Sequence, residues 1–154
     1  MKSIEYQMYD STICSIEDTN KIALKVSEKI REGTILLLNG DLGSGKTQFV
    51  RFLGNHLESV DTISSPTFLI LNIYECKEKL KIYHFDFYRV KDVQELEDIG
   101  FFEILNDEEG LIVVEWAERY QEVFTKFKNR TIDIYFNFIK DNIDCREILV
   151  KGNL

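Results

Sequence analysis

The stretch TILLLNGDLGSGKTQ, residues 34–48, decides the fold. Thr34 to Asn39 is a short apolar run rich in β-formers, and Gly40 to Thr47 matches G-x-x-x-x-G-K-[ST] at every fixed position. A polyphosphate needs backbone N–H groups turned inward around it, and glycines permit both the conformations and the close approach. Asp41, Leu42, Gly43, Ser44, Gly45, Lys46, Thr47 and Gln48 are therefore the expected nucleotide-binding residues. Lys46 is expected to reach the β and γ phosphates as a point charge, and Thr47 to ligate Mg²⁺ through its hydroxyl. The helix that follows, with Phe49, Phe52 and Leu53 on its apolar side, adds its N-terminal dipole. The alternative is a glycine-rich turn whose Lys and Thr are accidental. On average residue frequencies, such a match arises roughly once in several hundred chains of this length.

A site of this kind also needs an acidic residue at the end of a neighbouring strand, to hold Mg²⁺ or its water shell. Two are available. Glu115 directly follows Leu111-Ile112-Val113-Val114, a run suited to a strand buried on both faces. Asp86 lies near the end of Ile82-Tyr83-His84-Phe85, where alternation puts His84, Asp86 and Tyr88 on one face. Each carboxylate taken alone reads equally as a solvated charge at a strand end, and beside a phosphate loop the balance moves towards function. His84 reads as a hydrogen-bonded core residue or a functional one, and Trp116 as core packing.

Working outward, Ile4 to Met8 is an N-terminal strand candidate. Ser15 and Asp18 then resemble a helix N-cap, and Ile22, Ala23, Val26 and Ile30 recur at helical spacing until Gly33 ends the helix. Phe68 to Glu75 and Leu80 to Tyr88 read as a hairpin around Cys76 to Lys79. Asp92 to Asn106 and Ala117 to Phe127 read as helices, and Thr131 to Phe138 with Arg146 to Val150 as a second hairpin. The expected fold is α/β: a P-loop NTPase-like sandwich with a mixed, partly parallel β-sheet flanked by helices.

At 154 residues and 44% apolar, with one proline and no Gly/Ser tract, the chain reads as a single domain over residues 1–154. No apolar run approaches the roughly 20 residues of a membrane span, and residues 1–10 carry no apolar signal core, so a cytoplasmic protein with no membrane role is expected. Cys14, Cys76 and Cys145 are odd in number and widely spaced, which predicts ordinary thiols rather than a disulfide framework or zinc site. A formal charge of −8 disfavours strong direct binding to nucleic acid, so any RNA role is expected to run through a partner.

Taken together, GDLGSGKT at Gly40, SPTF at Ser65, HFDFYR at His84 and VEWAER at Val114 resemble the TsaE (YjeE) family of bacterial ATPases. The resemblance runs from the Ser15 helix to the Arg146 strand, and the four motifs in order are what make it specific. It implies ATP and Mg²⁺ as cofactors and a role in making N6-threonylcarbamoyladenosine at position 37 of tRNAs that read codons starting with A. It implies that Thr47 and Glu115 bind Mg²⁺, and that Asp86 is needed for hydrolysis. It further implies that Ser65 to Phe68, including Thr67, form a switch-like segment beside the reacting phosphate. By the same resemblance, a segment around Glu17 to Thr19 lies near the adenine and Arg146 near the nucleotide. TsaB-like and TsaD-like partners are expected, with tRNA involved only indirectly. Ser44 stands where the family often has Ala, and Gln48 where a second Thr is common; neither alters a fixed motif position.

Other functions compete. A GTPase lacks its Asn-Lys-x-Asp here, because Asn20-Lys21 continues as Ile22-Ala23 inside a helix candidate. A small-molecule or nucleoside kinase needs several cations over the transferred phosphate, and Arg31, Arg51, Arg89, Arg119, Arg130 and Arg146 are scattered. A nucleotide-dependent binding module with little turnover is not separable from an ATPase by sequence. The acidic stretch from Asp92 to Glu122 reads either as a solvated helical face or as a docking surface for a basic partner.

Overall fold

The computed structural model describes residues 6–66 and 68–152. Its strands are β1 (Tyr6–Ile13), β2 (Ile35–Gly40), β3 (Leu71–Glu75), β4 (Lys81–Asp86), β5 (Leu111–Glu115), β6 (Thr131–Ile139) and β7 (Asn142–Gly152). The α-helices are α1 (Ile16–Ser27), α2 (Lys46–His56), α3 (Val93–Asp98) and α4 (Phe101–Asp107). All seven strands join one sheet in the order β1-β7-β6-β2-β5-β4-β3. The central strands β6, β2, β5 and β4 are parallel, while β3 on one side and β7 with β1 on the other are antiparallel. This is the mixed α/β sandwich that the sequence predicts.

Apolar residues in an unbroken run serve two cores at once when a strand is covered on both faces. Leu36, Leu38 and Val113 pack with Ile22, Ala23 and Val26 of α1 and with Phe49, Val50 and Leu53 of α2. Ile35, Leu37, Ile112 and Val114 turn to the opposite face, where Phe85, Phe87, Leu96, Phe101 and Phe124 cover them. On that face the aromatic rings meet mostly edge to face, Phe85 and Phe101 at 5.0 Å and Phe87 and Phe101 at 5.3 Å between centroids. The two cores bury β2 and β5 from both faces, and those strands carry the phosphate loop and Glu115 at their ends.

Ser15 caps α1 by accepting from the Asp18 N–H at 3.1 Å. The helix stops at Ser27, earlier than the expected Gly33, because its last turn tightens: Lys29 N–H bonds Val26 O and Ile30 N–H bonds Ser27 O. The expected helix Asp92 to Asn106 is divided into α3 and α4 by Gly100, whose φ of +77° breaks the helical path. Ala117 to Phe127 is not a regular α-helix. Residues Ala117–Arg130 wind as irregular 3₁₀ turns, interrupted at Tyr120 and Phe127. Anchoring explains this: the Tyr120 hydroxyl and the Arg119 guanidinium both donate to Val90 O, and Phe124 stacks on Phe87. Those fixed points dictate the backbone path over any helical propensity.

Both hairpins form, with β7 starting earlier than expected and β1 extending to Ile13; Ile4 and Glu5 of the N-terminal strand candidate lie outside the described residues. The reading of all three cysteines as ordinary thiols is corrected. Antiparallel pairing of β1 with β7 sets Ile13 opposite Arg146, which brings Cys14 and Cys145 to a Cα separation of 4.1 Å, and the two are disulfide-bonded. A separation of 131 residues hid that pairing from spacing arguments. Cys76 is free and buried. Among the described residues no helix is long and apolar enough to cross a membrane.

Candidate nucleotide site

The site sits at the carboxyl ends of the parallel strands, the edge where open α/β sheets take their ligands. Register puts Leu38 of β2 beside Glu115 of β5, and Glu115 beside Asp86 of β4, so the loop after β2 and the two carboxylates share one level. Gly45 forms the N-terminal boundary of α2 at φ +106°, and Gly43 lies at φ +76°. A Cβ at either position would meet nothing within 4 Å. Glycine is thus required there by backbone conformation, and the loop interior is open to a phosphate.

Lys46 opens α2 and is buried, 5% exposed. Its ammonium donates to the carbonyl oxygens of Gly40 and Asp41 (3.0 Å for the latter), lies 3.5 Å from Ser44 Oγ, and sits 4.0 Å from the centroid of the Trp116 ring. Burial pulls its pKa below the ordinary lysine value, while the carboxylates of Glu115, Glu118, Asp86 and Asp41 oppose that shift. Glu118 also accepts from the Gly40 N–H at 3.3 Å. In this arrangement the lysine is folded onto its own loop, with carbonyls standing where anionic oxygens would be preferred partners.

At the next residue, the Thr47 hydroxyl lies 3.0 Å and 2.9 Å from the two oxygens of Glu115. Glu115 is buried, and its Oε1 is also 2.8 Å from His84 Nε2. Asp86, likewise buried, accepts the Tyr88 N–H at 2.8 Å through Oδ1. Trp116 follows Glu115 in the left-handed region, φ +59°, a strained conformation for a bulky side chain. Its ring reaches Tyr88 at 4.8 Å, so the aromatic pair walls one side of the site.

These groups line a cavity of about 420 Å³. Of the expected residues, Leu42 through Gln48, Asp86 and Glu115 line it, together with Ser65 and Trp116. Asp41 contributes its carbonyl to Lys46 from outside the lining. Thr19 is buried in α1 and Arg146 stacks over Phe138 at 4.1 Å; neither lines this cavity. The expected role of Thr67 lies outside the described residues. Tyr88 and Arg89 also line the cavity, and Arg89 rests 4.7 Å over the exposed ring of Phe68. The sequence signal for both was the HFDFYR stretch itself.

Among the described residues no three His, Cys, Asp or Glu side chains gather as a metal cage. Mg²⁺ does not need one, since it keeps waters and is held by one or two carboxylates plus substrate phosphates. The Thr47 hydroxyl can donate its proton to Glu115 and still present lone pairs to a cation. The oxygen donors here therefore fit Mg²⁺.

The model of the family described as "Threonylcarbamoyl adenosine biosynthesis protein TsaE" matches residues 13–148. The chain belongs to the TsaE family. It is 41% identical over 115 residues to the tRNA threonylcarbamoyladenosine biosynthesis protein TsaE of Rickettsia prowazekii, covering 74% of this chain and 78% of that one. It is 35% identical over 136 residues to the TsaE of Treponema pallidum, covering 88% and 95%. The crystal structure of Bacillus subtilis YdiB superposes with a TM-score of 0.70 at 26% identity, covering 98% of this chain and 88% of that chain. TsaE membership places the chain in tRNA threonylcarbamoyladenosine biosynthesis.

Proposed function

We propose that this TsaE-family chain binds and hydrolyses Mg-ATP, and that hydrolysis supports TsaB-like and TsaD-like partners in forming N6-threonylcarbamoyladenosine at position 37 of tRNAs reading codons that start with A. The observation that carries the enzymatic part is the contact of Thr47 with Glu115 beside an open phosphate loop. In this reading the loop amides and Lys46 hold the polyphosphate, and Lys46 exchanges its carbonyl partners for phosphate oxygens. Thr47 and Glu115 would hold Mg²⁺, and Asp86 would hold its water shell. When bound, the metal would supply charge neutralisation to the phosphate oxygens. Asp86 orients a water against the γ phosphorus; the bond to the β–γ bridging oxygen breaks, giving ADP and inorganic phosphate.

Among the described residues, Lys46 and Arg89 alone bring cationic side chains to the cavity lining, a small complement for a kinase that must hold a second substrate. Water is therefore the preferred acceptor. The net charge of −8 favours contact with tRNA through partners rather than directly. The test is steady-state phosphate release by this chain alone, by the partners alone and by the mixture, with Lys46→Ala as control. Slow release alone and faster release in the mixture are expected. Equal rates per molecule of this chain with and without partners would reject partner stimulation.

A further inference from the structure

His84 has no exposed surface and lies within the α1/α2 side of the sheet, 6.4 Å from the Tyr74 ring. In register His84 pairs with Val113, two residues before Glu115, so the ring sits diagonally beneath the Glu115 carboxylate, deeper in the sheet. Its Nε2 is 2.8 Å from Glu115 Oε1. Its Nδ1 is buried with no hydrogen-bond partner among the described residues. A carboxylate oxygen accepts, so in this pairing Nε2–H is the donor. Leaving a buried nitrogen unsatisfied is unfavourable, and an apolar side chain of similar size would avoid it. Among the described residues, the one hydrogen bond this ring makes is with Glu115.

We propose that His84 is a positioning residue for Glu115, fixing its carboxylate from below while Thr47 fixes it from α2, so that the remaining lone pairs face the cavity ready for Mg²⁺. The inference rests on the Mg-ATP reading. Nε2 meets Oε1, while the single proton of the Thr47 hydroxyl is within reach of both Oε1 and Oε2. Thr47 is shared with the metal and must adjust when a cation arrives. His84 is not shared, because a ring at this depth has no path to the cation. It is the constant half of the clamp. Partners of this kind behind a ligating carboxylate typically change metal affinity by about 10- to 100-fold when removed.

The test compares His84→Leu, which has no donor, with His84→Gln, whose amide nitrogen restores a donor at the Nε2 position. ATP affinity is measured by calorimetry with Mg²⁺ and with chelator, and the gain due to Mg²⁺ is the readout. His84→Leu is expected to lose about 10- to 100-fold of that gain while keeping the metal-free affinity, and His84→Gln to recover most of it. An undiminished gain in His84→Leu, or equal losses in both variants, would overturn the inference. Should His84→Leu not fold, ¹⁵N NMR of the wild-type imidazole decides: an Nε2–H tautomer that shifts on Glu115→Gln supports the clamp, and an Nδ1–H tautomer contradicts it. Failure of the Mg-ATP reading shows separately, as an absent Mg²⁺ gain in the wild type itself.

Discussion

The hydroxyl of Thr47 meets the carboxylate of Glu115 at 2.9 Å and 3.0 Å, joining residues 68 apart in the chain. The contact ties the first turn of α2 to the end of β5, and through His84 to β4. Glycine conformation on one side and strand register on the other bring these groups together.

Replacing Glu115 by Gln, or Asp86 by Asn, keeps side-chain size and removes a negative charge at the proposed Mg²⁺ site. Hydrolysis is expected to fall about 10- to 100-fold in each, with nucleotide affinity changing less. Phosphate release in the presence of partners, alongside calorimetric ATP binding, checks this. Normal hydrolysis in both variants would remove the two carboxylates from the mechanism.

Gly45→Ala places a side chain on a residue at φ +106°, where there is space but the backbone conformation is disfavoured. Stability is expected to drop by about 1 kcal/mol or slightly more, from strain rather than clash. ATP binding should suffer more than stability, because relaxing the strain moves the loop amides. Thermal unfolding and titration on the same sample separate the two effects.

Burial lowers the pKa of Lys46 in the free protein, and a bound polyphosphate raises it again. The sign follows directly: as pH rises through the lowered value, binding must take up a proton, so ATP affinity falls. On the alkaline side, below the ordinary lysine range, affinity should decline as pH rises and the observed heat should depend on buffer ionisation in the sense of proton uptake. Proton release over that range would contradict the assignment.

Thiol titration in denaturant tests the covalent link between β1 and β7. With Cys14 bonded to Cys145 and Cys76 free, one thiol per chain should react without reductant and three after reduction. Three before reduction would show the pair to be open.

Much of this site was legible because its parts are local in sequence. The phosphate loop is one continuous motif, and Glu115 announces itself by ending an apolar run suited to a strand buried on both faces, which β5 is. What escaped was long-range. Cys14 and Cys145 meet only because β1 adds antiparallel to β7, a pairing that no spacing rule encodes. His84 read equally well as core until register set it under Glu115. The irregular path of Ala117–Arg130 comes from where Tyr120 and Phe124 are anchored, and periodicity carries no information about anchors. The break between α3 and α4 was written in Gly100, and the apolar spacing on either side masked it.

The central claim is that the loop from Gly40 to Thr47 binds ATP through Lys46, and calorimetric titration of ATP with Mg²⁺ into the wild type and Lys46→Ala tests it most directly. Loss of a charge-assisted phosphate contact is expected to weaken binding by about 10- to 100-fold or more, with the thermal unfolding of the free protein little changed. Equal ATP affinity in the two proteins would contradict the account.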